Sequence, residues 1–301
     1  MKRSPALNSA VNNNLLILHF TVFIWGFTGI LGALISISAV QLVWYRVLIA
    51  MVSLFLYFRF NKTAFAVSRR SFLQLAMIGA VVGGHWILFF ASIKLANVPV
   101  ALVCLSSITL FTAVLEPLIN KKQISKLEIV AGFLIIIGIV VIFKFETRYT
   151  KGILAGLSSA LCASLFSIAN SIQVKKFQAP VIAFYELVGA FFWITIFLVF
   201  TSGFDKSMAL SRADLGYLLL LGTVCTSLAY VAGVSVMREL SAFRVALITN
   251  LEPVYGIVMS FLFFGDSNKM TTGFWAGAFI VLSTIFLFPV AQRHLAARRT
   301  R

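Results

Sequence analysis

Ten apolar segments run the length of the chain with only short polar links between them, at residues 15–34, 39–58, 72–93, 98–119, 127–145, 152–172, 180–201, 215–236, 243–264 and 271–291. At ~1.5 Å per residue, a helix of about 20 residues spans a hydrocarbon core of roughly 30 Å. Backbone N–H and C=O groups within lipid must be paired internally, and a segment of this length does that as a helix. A mean hydropathy of +1.00, with 60% hydrophobic and only 11% charged residues, excludes a soluble domain. The sequence therefore predicts an all-α polytopic membrane protein with ten transmembrane helices.

Lys and Arg resist translocation, so their distribution sets the orientation. With the amino terminus inside, the inner links and tails hold 17 of the 25 basic residues, the outer links hold 7, and Arg46 lies within a span. Both termini are expected to be cytoplasmic. The opening "MKRSPALNSAVNNN" precedes an apolar run too long for a signal peptide and without a small-x-small cleavage site, so it is read as a tail before a retained first span. A formal net charge of +16 would suit a nucleic-acid partner if it were concentrated on one face, but it is dispersed among loops. No nucleic-acid binding is expected, and the terminal "RHLAARRTR" suits anionic lipid headgroups. Cys104, Cys162 and Cys225 all fall inside spans without metal-ligand spacing, so neither a disulfide framework nor a metal site is predicted.

The chain also repeats itself. A shift of 145 residues aligns "LANVPVALVCLSSITLF" with "LSAFRVALITNLEPVYG", and Leu95, Val100, Ala101, Leu102, Ala131, Gly132, Ile135 and Phe143 recur as Leu240, Val245, Ala246, Leu247, Ala276, Gly277, Ile280 and Phe288. At a shift of 140, "WYRVLIA" (44–50) answers "FYELVGA" (184–190). An odd number of spans per half turns the second half upside down relative to the first. Inverted repeats of this kind place a substrate site near the bilayer midplane, between the halves. The expected organisation is a tail (1–14), a first repeat (15–145), a second repeat (152–291) and a basic tail (292–301).

The five-span repeat, the Trp25–Gly26 pair, the block "GGHWILFFASIKLANVPVALVCLSS" and the two Leu-Glu-Pro triplets (115–117 and 251–253) resemble the EamA branch of the drug/metabolite transporter superfamily. The resemblance implies a ten-helix inner-membrane carrier with a central cavity at the repeat interface, commonly an exporter of amino acids or similar metabolites. Two features depart from strict symmetry. Gly265–Asp266 ends the ninth span where Asn120–Lys121 ends the fourth, and the two triplets lie 136 residues apart instead of 145.

Polar residues at membrane depth are the candidate site, because an ionisable group there must face protein or water. Glu252 lies near the middle of its span beside Pro253, which lacks an N–H, frees the carbonyl of Thr249 and is expected to kink the helix. Glu252 would bind a substrate ammonium or a coupling proton; a structural carboxyl hydrogen-bonded between helices is the alternative. Asn250 and Tyr255 flank it. His85 and Trp86, also at mid-depth, would relay a proton and form a cation-π or apolar wall, and Trp25 would be a second wall; interhelix packing is the plainer role for each. Arg46 and Glu186, at matched repeat positions, are expected in opposite halves of the membrane, each with its own partner, as parts of a gate or as snorkelling groups. Glu116 beside Lys121 and Lys122 reads as an interfacial ion pair. Asn170, Tyr185 and Tyr230 are further cavity candidates, and Gly79, Gly83 and Gly84 with Ala76 and Ala80 form a small-residue packing face.

These readings converge on a secondary transporter that exports small metabolites, amino acids foremost, by alternating access, with proton coupling through Glu252. Nucleobases or drug-like cations are the alternative cargo. An intramembrane enzyme lacks any H-E-x-x-H, G-x-S-x-G or paired-Asp constellation, and a channel lacks a ring of charges. The expected partners are a small-molecule substrate and membrane lipids, with no cofactor, and the oligomeric state is left open.

Overall fold

A computed structural model describes residues 5–62, 64–121, 126–265 and 270–299, and among these the chain is helical with no strand. The first three spans are single helices, α1 (Pro5–Leu34), α2 (Ala39–Asn61) and α3 (Arg69–Leu95). The fourth is broken into α4 (Val98–Leu105) and α5 (Ile108–Ile119). Then follow α6 (Lys126–Phe145), α7 (Thr150–Gln173) and α8 (Ala179–Phe200). The eighth span is α9 (Arg212–Gly222), a π-helical segment (Thr223–Leu228) and α10 (Ala229–Val236); the ninth is α11 (Ala242–Thr249) with α12 (Leu251–Phe264); α13 (Thr272–Arg299) is the tenth. Eight of the spans are long and apolar enough to cross a membrane, and the fifth and tenth contain shorter apolar stretches, Ile129–Phe145 and Thr272–Phe288.

Local sequence explains where the helices start. Ser38 and Ser211 each form a capping box, with Gln41 and Asp214, and the Asn97 side chain accepts from Val100 N ahead of Pro99. At the ends of the chain the helices run farther than the apolar pattern. α1 begins at Pro5, inside the segment read as a tail, and α13 continues past Pro289 to Arg299. Residues 1–4 and 300–301 lie outside the described residues, as do Lys122 and Asp266.

Packing follows the exchange of one half for the other. α3 packs on α7 as the eighth span packs on α1; α3 packs on α8 as the eighth span packs on α2; α1 packs on α12 as α7 packs on α4 and α5. The pairs α2 with α8, the fourth with the ninth span, and α6 with α13 map onto themselves. Such a pattern is what a two-fold relation between five-helix halves produces. Lipid offers no hydrophobic drive between helices, so close van der Waals contact must hold them. Two glycine contacts show how: a Cβ on Gly189 would run into the Ala76 carbonyl oxygen, and one on Gly277 would meet the Gly138 carbonyl oxygen at 2.6 Å. The first of these is where the predicted small-residue face of α3 receives α8.

The breaks in the fourth and ninth spans obey the same relation. α4 ends at Leu105, and Asn250, 145 residues later, separates α11 from α12. The expected proline kink is thus a break of the helix at Asn250. Pro253 sits three residues beyond it in the first turn of α12, where its missing N–H would have no intrahelical partner in any case.

Candidate functional site

A cavity of about 80 Å³ lies where the halves meet, between the two broken spans. Trp25 and Thr28 reach it from α1, Arg46 from α2, His85, Trp86 and Phe89 from α3, and Phe166 and Ser167 from α7. Tyr230 and Gly233 of α10, Thr249 at the end of α11 and Glu252 at the start of α12 complete its polar and aromatic lining, while Leu105 and Ile108 flank the first break. The expected site residues Glu252, His85, Trp86 and Trp25 therefore meet, and Arg46 joins them.

Arg46 is held from three directions. Its Nε donates to Thr226 Oγ1 at 2.6 Å, its guanidinium lies over the Trp86 ring at 4.2 Å, and Phe90 is 5.5 Å away. Thr226 in turn donates to the Leu221 carbonyl five residues back, a bond that belongs to the π-helical turn. Nη1 of Arg46 is buried without a partner among the described residues. Glu252 faces the same cavity within electrostatic reach of Arg46, and no described side chain hydrogen-bonds its carboxylate. One cavity thus carries a guanidinium and a carboxyl group that do not consume each other's hydrogen-bonding capacity.

His85 has a defined orientation. Ser159 Oγ donates to the His85 carbonyl at 2.9 Å, which uses its one hydrogen, so the contacts of Nδ1 to Ser159 Oγ (2.8 Å) and to the Ser159 carbonyl (3.0 Å) place two acceptors against it. The proton of the neutral ring is therefore assigned to Nδ1, and Nε2 is left as an acceptor. The aromatic walls are packed against one another: Trp86 meets the Tyr230 ring at 5.6 Å, and Phe166 meets His85 at 5.3 Å. Trp25 lies against Gly233, where an added Cβ would come within 2.7 Å of its ring.

Other expected residues stand outside the cavity. Asn250 is buried at the helix break, where its amide donates to Thr109 Oγ1, so it ties the ninth span to the fourth instead of lining the site. Tyr255 is one turn beyond Glu252 and packs edge-on against Phe23 at 5.4 Å. Glu186 is fully buried behind Tyr230, which donates to it at 2.6 Å. Arg46 and Glu186 do not touch, and each has its own partner on the eighth span. Glu116 does not pair with Lys121: its carboxylate accepts Phe243 N at 2.7 Å, because the exposed N–H groups at the start of α11 are nearer. Tyr185 donates to the Phe65 carbonyl, away from the cavity.

The two ends of the cavity differ. On the face opposite the termini, hydrogen bonds tie the halves together. Asp214 accepts both Ser36 N (2.8 Å) and Ser36 Oγ (2.7 Å), Gln41 donates to Ser207 Oγ at 2.6 Å, and Glu146 accepts Thr271 N and Oγ1 at 2.8 Å each. Toward the face carrying the termini lies a polar vestibule of about 420 Å³, bordered by Glu116, Lys175, Arg238 and Glu239, and it shares Met237 with the cavity. The sequence reading missed Phe89, Phe166, Thr226 and Asp214. Two of 30 Phe carry no signal of facing inward, and Thr226 acquires its role only through the π-helical turn.

Comparison with known proteins bears on this geometry. The model of the EamA-like transporter family matches residues 14–144 and again 150–289. A relative from Haemophilus influenzae, described as an uncharacterized transporter, is 21% identical over 293 residues, covering 91% of this chain and 94% of that protein. A solved crystal structure with 14% identity superposes with a TM-score of 0.69 over 93% of this chain and 99% of its own, a likeness of fold alone.

Proposed function

Because the chain belongs to the EamA-like transporter family, and is on that ground a membrane transporter with two repeats, we propose that it exports zwitterionic metabolites, amino acids first, across the inner membrane by alternating access. One observation carries this reading: Arg46 and Glu252 line a single aromatic cavity, the first with an unpartnered N–H and the second with a carboxyl group that no described side chain hydrogen-bonds. An amino acid presents a carboxylate that suits the planar guanidinium and an ammonium that suits the carboxylate. Trp25, Trp86 and Phe166 would accept the side chain. Arg46 belongs to this wall in the proposal, in place of the gating role.

Alternating access is supported by a contrast between the two faces: Asp214, Gln41 and Glu146 close one, while a vestibule opens on the other beside the Glu116–Phe243 bond. With the termini cytoplasmic, as the basic residues favour, the conformation is inward-facing, ready to load an exported substrate. Glu252 then binds the ammonium within the cavity.

Efflux from proteoliposomes loaded with a panel of labelled amino acids, nucleobases and organic cations tests the proposal. Zwitterionic amino acids are expected to leave, and unlabelled amino acid on the far side should accelerate them. Transport confined to nucleobases or cations would overturn the substrate class, and an ion current without trans-acceleration would overturn the carrier.

A further inference from the structure

A second carboxyl lies at membrane depth without reaching the cavity. Glu186 on α8 is fully buried, and its Oε2 accepts Tyr230 OH at 2.6 Å and Asn170 Nδ2 at 3.2 Å. Asn170 also donates to Tyr230 OH at 3.1 Å, closing a triangle across α7, α8 and α10. Glu186 Oε1 and Asn170 Oδ1 are both buried acceptors with no donor among the described residues.

The neighbouring elements bring no cation to Glu186. From α2, Arg46 is engaged by Thr226 and Trp86; from α3, His85 is engaged by Ser159, and Gly79 lies against the backbone of Glu186 and Ala190; α10 presents the Tyr230 phenol and α7 the neutral Asn170. A buried carboxylate without a counter-charge is costly, and a proton removes that cost while supplying the donor this cluster lacks. The cluster is nonetheless one residue from the cavity, since the Tyr230 ring forms its wall. From there the contacts continue: Tyr230 on Trp86, Trp86 under Arg46, and Arg46 in the field of Glu252.

We propose that Glu186, held by Tyr230 and Asn170, is the coupling-proton site, separate from Glu252, which takes the substrate ammonium. The proposal rests on the cavity being the substrate site. In each cycle a hydronium ion on one side gives its proton to a carboxylate oxygen of Glu186, its own O–H bond breaking as the carboxyl O–H forms, and the carboxyl later returns the proton to a water on the other side. The state of Glu186 reaches the substrate through the Tyr230 hydrogen bond and the Trp86–Arg46 stack.

Infrared difference spectra of the full-length protein in lipid nanodiscs, recorded across pH without substrate, test this directly. The expected result is a protonated-carboxyl band that is lost as pH rises, is missing in Glu186→Gln, persists in Glu252→Gln and changes frequency in Tyr230→Phe, which keeps the carboxyl but removes a donor. A carboxyl spectrum unchanged by Glu186→Gln, with every titrating band lost only in Glu252→Gln, overturns the assignment. In proteoliposomes with a labelled amino-acid panel, Glu186→Gln should keep counterflow within about twofold while losing roughly tenfold in accumulation driven by a pH gradient. Retained gradient-driven accumulation would also overturn it. A wild type that moves no amino acid would refute the substrate class alone, because the infrared band is read without substrate.

Discussion

The two broken spans are built alike and furnished differently. At the first break, Ser106 and Ser107 turn inward on their own helix: Ser107 Oγ donates to the Cys104 carbonyl at 2.6 Å and Ser106 Oγ to the Leu102 carbonyl at 3.3 Å. At the second, the position 145 residues after Ser107 is Glu252, whose carboxylate faces the cavity, and the position after Ile108 is Pro253. The breaks lock together through Asn250 and Thr109. The repeat therefore supplies a pair of interrupted helices, and only the second carries a carboxyl side chain beside the break. The proposed zwitterionic substrate would use this difference, since it has a single ammonium to place. Arg46 and Glu186 show the same divergence at matched positions, one facing the cavity and the other sealed behind Tyr230.

The comparison is broken most sharply at the mirrored pair. Glu252→Gln should lower amino-acid efflux from proteoliposomes by about 10 to 100-fold, the range expected on losing a hydrogen bond to a charged group. Ser107→Ala, at the mirror position, should stay within about twofold, because its hydroxyl serves only its own helix. Equal losses at both would mean that the two breaks act as equivalent hinges and that the carboxylate is structural. Arg46→Lys comes next. Lysine keeps the charge but loses the planar stack on Trp86 and the Nε bond to Thr226, so a loss of about tenfold in apparent affinity is expected in the same assay. Undiminished affinity would remove Arg46 from the substrate site.

Much of this architecture could be read from the chain because it is written in periodic features. Apolar runs mark the ten spans and the 145-residue shift marks the repeat, whereas the break in the fourth span has no proline to announce it. Glu252, His85, Trp86 and Trp25 were legible because an ionisable or indole-bearing residue stands out in an apolar run. Phe89 and Phe166 did not stand out among so many phenylalanines. Asp214 carried no signal in the sequence, because its bonds to Ser36 depend on how the two halves meet. Asn250 was expected in the site on the strength of its sequence neighbourhood, but the break turns its amide toward Thr109. Periodicity locates a residue along an element; which neighbour it faces is settled by packing between elements far apart in sequence.

Asn250→Ala tests that packing. Removing the amide takes away the bond that links the breaks, and a loss of about 1 kcal/mol in stability is expected, near the upper part of the range for interhelix hydrogen bonds in lipid. The measurement is the unfolding midpoint in mild detergent under denaturant. An unchanged midpoint would show that the breaks are held by apolar contact alone.

The smallest effect is expected at the residue that draws the eye in the sequence. If Pro253 created the discontinuity, Pro253→Ala would restore a continuous ninth helix, move Glu252 and abolish transport. The first break argues otherwise, for Leu105 to Ile108 is interrupted without any proline. Pro253 also occupies the first turn of α12, where an N–H has no intrahelical acceptor and alanine is tolerated. Pro253→Ala should therefore leave efflux within about threefold and stability within roughly 1 kcal/mol, the release of backbone freedom in the unfolded chain being the main change. A collapse of transport with the fold intact would show that the second break, unlike the first, depends on its proline.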